Sequence, residues 1–453
     1  MSQHRLAEDN IRKLLVKLSL PAMAGMFVMA LYNVVDTIFV GRGVGTMAIA
    51  GLSIVFPIQM LVMSVGMLYG MGGASVISRL LGKNDFAKAN LAYGNLAGAA
   101  VISGLLLTII GMVFRDSILQ LFGASEIVLP YAREYYNLIV LASPLFVIAM
   151  TGNNVLRSVG MAKSAMVTMI TGAIANIILD PILIFGFDMG IQGAALATVL
   201  SQFLSVLYLI YELRSKRCSL RLKWHNLKLD HSIMRDVTAI GFSSFIRNVA
   251  GSFIFALINN KLLVYGSEVS LAAYGIVIKL VRFLLMPIIG LAQGLQPVIG
   301  YNFGANRLDK VEESGRIGLI YGSVISISGF LIAQTFARPL ISIFTSDTEL
   351  LIVAENAFRL MSMGIWVVGI QIVGTTIFQA LGKAKESLLL SMSREILLSI
   401  PLLFILPSLI GLNGVWLTMP VADVLAVLLT ILMLVKLRKK NLKSKKKLIA
   451  VLA

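Results

Sequence analysis

Apolar runs long enough to cross a lipid bilayer recur from one end of the chain to the other. They fall near residues 14–40, 51–78, 91–114, 129–153, 165–187, 190–213, 237–263, 272–302, 314–337, 350–380, 387–409 and 412–437. The hydrocarbon core of a bilayer takes roughly 20 helical residues to span, and each run meets that length. The connections are too short for a separate soluble domain. The chain is 58% hydrophobic and 13% charged, against about 25% charged for soluble domains. These features predict an all-α polytopic membrane protein with twelve transmembrane helices. No cleavable signal peptide is evident. The first run is too long for a signal core and continues into the repeating pattern, so it is read as span one.

A net charge of +17 invites a nucleic-acid partner, but the placement of the charge argues against one. Lys and Arg gather in alternate loops: Arg5 to Lys17, then Arg79 to Lys88, Arg157 and Lys163, Arg214 to Arg235, Arg307 to Arg316, Lys383 to Arg394, and Lys436 to Lys447. The intervening loops hold little beyond Arg42, Arg115, Arg133 and Arg338, beside Asp116, Glu126, Asp347 and Glu349. Basic residues collect on the cytoplasmic side of membrane proteins. The pattern places both termini in the cytoplasm of a multi-pass protein of the plasma (inner) membrane, with an even number of spans. The basic tail KLRKKNLKSKKK is expected to touch anionic lipid. The single Cys218 excludes an intramolecular disulfide, and its basic loop is expected to leave it reachable from the cytoplasm.

The chain repeats itself at a spacing of about 222 residues. LRSVGMAKSAM near 156–166 answers to FQALGKAKESL near 378–388, and GIQGAAL near 190–196 to GLNGVWL near 411–417. Gly66 and Gly70 match Gly290 and Gly294. The expected organisation is an N-lobe of spans one to six over 1–213, a cytoplasmic basic linker at 214–236, a C-lobe of spans seven to twelve over 237–437, and a basic tail at 438–453. Six spans per half make the repeat parallel. Duplicated bundles of this kind hold a central cleft and work by alternating access.

Two carboxylates interrupt the apolar runs of the first half. Asp36 breaks MFVMALYNVVDTIFVG, and Asp180 breaks AIANIILDPILIFG. A lone ionised Asp at mid-membrane costs roughly 3 kcal/mol, and such groups mark ion, proton or substrate paths. Asn176 and Asp180 are four residues apart and therefore share one helix face. In register, Asp36 falls opposite Asn259, and Asp180 opposite the uncharged stretch Ser399 to Leu402. The acidic pair thus belongs to the first half only. Pro181 removes a backbone donor and is expected to kink span five. In the second half, Lys279 and Arg282 lie within span eight. Each pairs with a carboxylate, lines the cleft or snorkels to an interface.

The segments LYNVVDTIFVGRGVGTMAIAGLS, NNVLRSVGMAKS, ANIILDPILIFGFDMGIQGAALATVLSQ and GLAQGLQPVIGYNFGA resemble those of the multidrug and toxic compound extrusion (MATE) family, bacterial or archaeal type. The resemblance covers nearly the whole chain. It implies a V-shaped pair of pseudo-symmetric six-helix lobes that export organic, often cationic, compounds in exchange for inward Na⁺ or H⁺. The family's ion site would carry over to Asp36, Asn176, Asp180 and Thr198. Tyr135 is the best match for a span-four tyrosine, with Tyr136 adjacent. These are hard oxygen ligands, suited to Na⁺ rather than to a soft metal, and two close carboxylates equally suit proton carriage. Some relatives place acidic groups in spans seven and ten. This chain offers Asn259 and Asn260 in span seven and Gln371 and Gln379 in span ten, so a second-lobe cation site is not expected. Lys279, Arg282, Asn259 and Gln371 are candidates for the substrate cleft.

The expected protein is not an enzyme. It uses no cofactor beyond its coupling ion, takes small-molecule organic substrates, sits in lipid and is monomeric. A competing reading is a flippase for lipid-linked substrates of the same superfamily, whose cleft would favour bases such as Lys279 and Arg282.

Overall fold

The computed structural model describes residues 6–43, 46–124 and 126–452, and their side chains except 33–34, 36–38, 41–43, 46–50 and 440–452. The described residues form helices and no strand. In chain order these are α1 (Ile11–Gly43), α2 (Thr46–Gly82), α3 (Phe86–Val113), α4 (Arg115–Leu121), α5 (Leu129–Leu141), α6 (Ser143–Ser158), α7 (Ala162–Pro181), α8 (Gly190–Arg214), α9 (His231–Tyr265), α10 (Glu268–Gly304), α11 (Leu308–Thr335), α12 (Ala337–Ser342), α13 (Thr348–Ser362), α14 (Ile365–Ala380), α15 (Ala384–Met392), α16 (Ser399–Ile410) and α17 (Leu412–Leu452). Among the described residues, ten stretches are long and apolar enough to cross a membrane. Two bent pairs, α5 with α6 and α13 with α14, each supply one more. The twelve spans anticipated from hydropathy are therefore present.

The fourth span of each half is broken, which the sequence reading did not anticipate. The bend is 51° between α5 and α6 and 46° between α13 and α14. The causes differ. Pro144 opens α6 at a position where its missing N–H costs nothing. Gly364 lies where a Cβ would come within 2.7 Å of Asp423 Oδ2 and 2.8 Å of Pro420 Cα, so only a glycine admits α17 there. Two other spans carry a π-helical turn, Ile182–Gly186 after α7 and Ser393–Leu398 between α15 and α16. Proline supplies the first: Pro181 has no N–H to continue the ladder, and the Phe187 N–H reaches back to the Ile182 carbonyl at 3.0 Å.

Two compact units are present. One comprises Met1–Ser252, Gly290–Ser314 and Gln379–Ala384. Its apolar core includes Val62, Tyr136, Ile139, Phe146, Val147 and Ile184. Gly66 and Gly70 let α2 approach Met150 and Asn154 of α6, a packing use of small residues spaced by four. The end of α10 belongs here too, because Gln296 Nε2 donates to the Met71 carbonyl at 3.0 Å. The other unit comprises Phe253–Ile289, Gly315–Phe378 and Lys385–Ala453, with Tyr274, Phe358, Leu403 and Trp416 in its core.

The segment after α8 is anchored rather than loose. Asn95 Nδ2 of α3 donates to the carbonyls of Asn226 at 3.0 Å and Lys228 at 2.9 Å, and the Arg221 N–H donates to Asn90 Oδ1 at 2.7 Å. Cys218 is 2% exposed, and burial pushes its thiol pKa above the usual range. This corrects the expectation of a reachable thiol. Its neighbours are charged, but Leu220 and Asn226 fold inward with it. Arg157 and Arg394 also correct the reading of basic residues as loop residues. Arg157 is 4% exposed on α6, and Arg394 lies within the span Ala384–Ile410.

Candidate cation site

The candidate site is built by α7 and α8, which pack side by side, with α1 against both. Asn176 and Asp180 sit one turn apart on α7, and Thr198 faces them from α8. All three are buried. Asn176 Nδ2 donates to Asp180 Oδ1 at 3.2 Å and to Thr198 Oγ1 at 3.5 Å. The Thr198 hydroxyl donates to the Ala194 carbonyl at 3.0 Å, which leaves its oxygen able to accept. The Asn176 carbonyl oxygen is buried with no hydrogen-bond partner among the described residues. An amide turned so that its donor serves the carboxylate and the hydroxyl leaves its own acceptor available. Oxygens with spare capacity in an apolar surround are what a hard cation requires.

The side chain of Asp36 lies outside the described residues. Its helix, α1, packs on α7 and on the π-turn beyond it. The Phe39 ring meets Phe185 of that π-turn edge-on at 6.4 Å. Tyr135 and Tyr136 are both buried on α5. The Tyr136 hydroxyl is committed to the Gly111 carbonyl at 2.8 Å. Tyr135 lies in the apolar core with Ile191 and Ala194 of α8.

The second-half candidates are not assembled into a comparable cluster. Gln371 is buried and donates to the Leu390 carbonyl at 3.3 Å. Gln379 donates to Ser243 Oγ at 2.8 Å and Ser244 Oγ at 3.1 Å. Both amides are thus hydrogen-bonded within the fold. The Asn259 side-chain oxygen is buried without a hydrogen-bond partner among the described residues. Lys279 and Arg282 are exposed on α10. Three buried charged groups escaped the sequence reading. Glu212 accepts from Ser164 Oγ at 2.9 Å and the Tyr208 hydroxyl at 3.0 Å. Glu395 and Asp423 both bind Arg394. Their only sequence signal is a charge inside an apolar run.

The family model for MatE matches residues 21–182 and 241–405. The chain belongs to the MatE family. Two matched segments, one in each half, accord with the internal repeat. The multidrug export protein MepA of Staphylococcus haemolyticus (strain JCSC1435) is 28% identical over 444 residues, covering 98% of each chain. The solved structure of the MATE multidrug transporter DinF-BH is 39% identical, with a TM-score of 0.89 over 94% of this chain and 96% of that one. MATE in the straight conformation is 26% identical, with a TM-score of 0.92 over 98% and 99%. MatE proteins are transporters, so this chain is a membrane transporter and not an enzyme. The fold is the twelve-helix MATE fold.

Proposed function

We propose that this MatE transporter is a secondary active exporter of organic, often cationic, compounds. It exchanges them for inward H⁺ or Na⁺ by alternating access in the plasma membrane. The observation that carries the proposal is the buried cluster of Asn176, Asp180 and Thr198, set against the helix that bears Asp36. Na⁺ or H⁺ is substrate here, and no resident cofactor is needed. Asp180 and Asp36 supply negative charge, while Asn176 and Thr198 supply neutral oxygens and hold Asp180 in place. Loading the site neutralises the carboxylates and so favours one conformation. Drug binding favours the other, and this difference is what couples the two flows.

Lys279 and Arg282, exposed on α10, supply the observation that favours a second reading, a flippase for lipid-linked anionic substrates. One experiment separates the two. The protein is reconstituted in proteoliposomes, and a fluorescent organic cation or a fluorescent polyprenyl diphosphate is added with Na⁺ and pH gradients imposed separately. Cation movement driven by one gradient supports export. Movement of the diphosphate lipid alone, indifferent to both gradients, overturns it.

A further inference from the structure

We infer that Arg394, Glu395 and Asp423 form a second, proton-binding site within the second half of the chain. Glu395 and Asp423 lie well inside the spans Ala384–Ile410 and Leu412–Lys439. Arg394 Nη1 donates to Glu395 Oε1 at 2.7 Å, and Arg394 Nε donates to Asp423 Oδ1. The side chains of Glu395 and Asp423 are 7% and 6% exposed. One guanidinium faces two carboxylates. With both ionised, the cluster carries a net negative charge at membrane depth, where uncompensated charge is costly. One proton removes it. The site therefore holds a proton when closed from water and releases it when water enters. No bond other than O–H is made or broken.

Two further observations point to an exchangeable ligand rather than a static ion pair. Two buried polar side chains on the same spans have no hydrogen-bond partner among the described residues. The Ser391 hydroxyl, 1% exposed, lies one turn before Glu395, and Trp416 Nε1, 1% exposed, lies on the face of α17 that carries Asp423. A water carrying the proton in would satisfy such donors. The site is also wired to the two irregular elements of its unit. Arg394 and Glu395 are displayed on the π-turn Ser393–Leu398, a feature that occurs frequently at functional sites. Ser399 Oγ ties that turn by donating to the Arg394 carbonyl at 2.7 Å. Asp423 Oδ2 abuts Gly364, at the 46° break between α13 and α14. Protonation of Asp423 would change what presses on that break. Tyr274 on α10 is in electrostatic reach of both Glu395 and Arg282, with its ring 6.3 Å from Trp416. The inference rests on the transporter family and not on the direction or cargo of transport.

The test uses Trp416 as its reporter. The chain has three tryptophans, so Trp224→Phe with Trp366→Phe leaves Trp416 alone in the full-length purified protein. Its emission is titrated from about pH 4 to pH 10, where perturbed carboxyl groups fall. The expected result is a single-proton transition that Glu395→Gln or Asp423→Asn removes or moves by roughly one pH unit or more. Folding of each variant is checked by thermal melting. Gly364→Ala keeps every charged group and crowds Asp423, so it is expected to move the midpoint as well. A flat titration overturns the inference. So does a transition whose midpoint is the same in the parent, the two neutralised variants and Gly364→Ala. Loss of transport with an intact Trp416 titration would instead count against the export reading and leave the proton site standing.

Discussion

Asn176 holds Asp180 with its amide donor and turns its carbonyl oxygen into the same buried space. The expected consequence is a graded set of defects. Asp180→Asn keeps the shape and removes the charge, so gradient-driven efflux should fall to background while the protein still inserts and melts normally. Thr198→Ala removes one neutral oxygen whose hydrogen bonding is worth about 1 kcal/mol, or roughly fivefold in rate. Initial rates in proteoliposomes check both, and an Asp180→Asn protein exporting at the parental rate would sink the site. The Asn176–Asp180 pair was legible in sequence because a spacing of four defines one helix face. Asp423 was not legible, since its partner Arg394 lies in another span and only the fold brings the two together. Arg157, in the last turn of α6, and Arg394, inside its span, resemble loop bases in sequence because hydropathy alone does not separate a buried base from an exposed one.

The twelve elements were legible in the sequence because bilayer thickness imposes a length that apolar runs must meet. Their interruptions were less so. Pro181 announced an irregularity after Asp180, and the π-turn Ile182–Gly186 stands there. No local signal announced the break at Met363, where the cause is the approach of Asp423 and Pro420 to Gly364. Pro181→Ala returns an N–H to the ladder and should let α7 run on as a regular helix. Interior proline costs a helix about 3 kcal/mol, so the melting temperature should hold or rise while the transport rate drops severalfold. A variant that melts as before and transports as fast as the parent would show the π-turn to be dispensable. The segment after α8 misled in the opposite direction. Its charges read as a solvated loop, yet Asn95 and Asn90 clamp it to α3. Cys218 should therefore resist maleimide at neutral pH, being both buried and short of thiolate, and react once the protein is unfolded in detergent and heat. Rapid native labelling would contradict the burial.

At the scale of the whole molecule, the halves repeat in sequence and in their broken fourth spans but differ in chemistry. The first presents carboxylates with neutral oxygens and no base among the described contacts of Asn176 and Thr198. The second presents carboxylates locked to a guanidinium. Neutral oxygens beside a carboxylate suit a metal cation or a proton, whereas a site already holding one positive charge has room for a proton alone. Two consequences follow for intact protein in a membrane. The side on which the anchored segment lies can be read from Trp224, 90% exposed beside it. In a Cys218→Ser background, Trp224→Cys should stay unlabelled by an impermeant maleimide in intact cells and label after permeabilisation, if the basic loops are cytoplasmic. The second consequence concerns coupling. Ion and drug must favour different states for one to drive the other, so drug affinity should weaken as the coupling ion is raised. Asp36→Asn should erase that dependence and leave affinity itself largely intact. Neutralising Lys279 or Arg282, both exposed on α10, should change drug preference and spare the ion dependence. Fluorescence anisotropy across Na⁺ concentration and pH measures all three. If Asp36→Asn still responds normally to the coupling ion while Asp423→Asn does not, the guanidinium-bearing half carries the coupling, and the first-half oxygens serve the architecture of α7 and α8 instead.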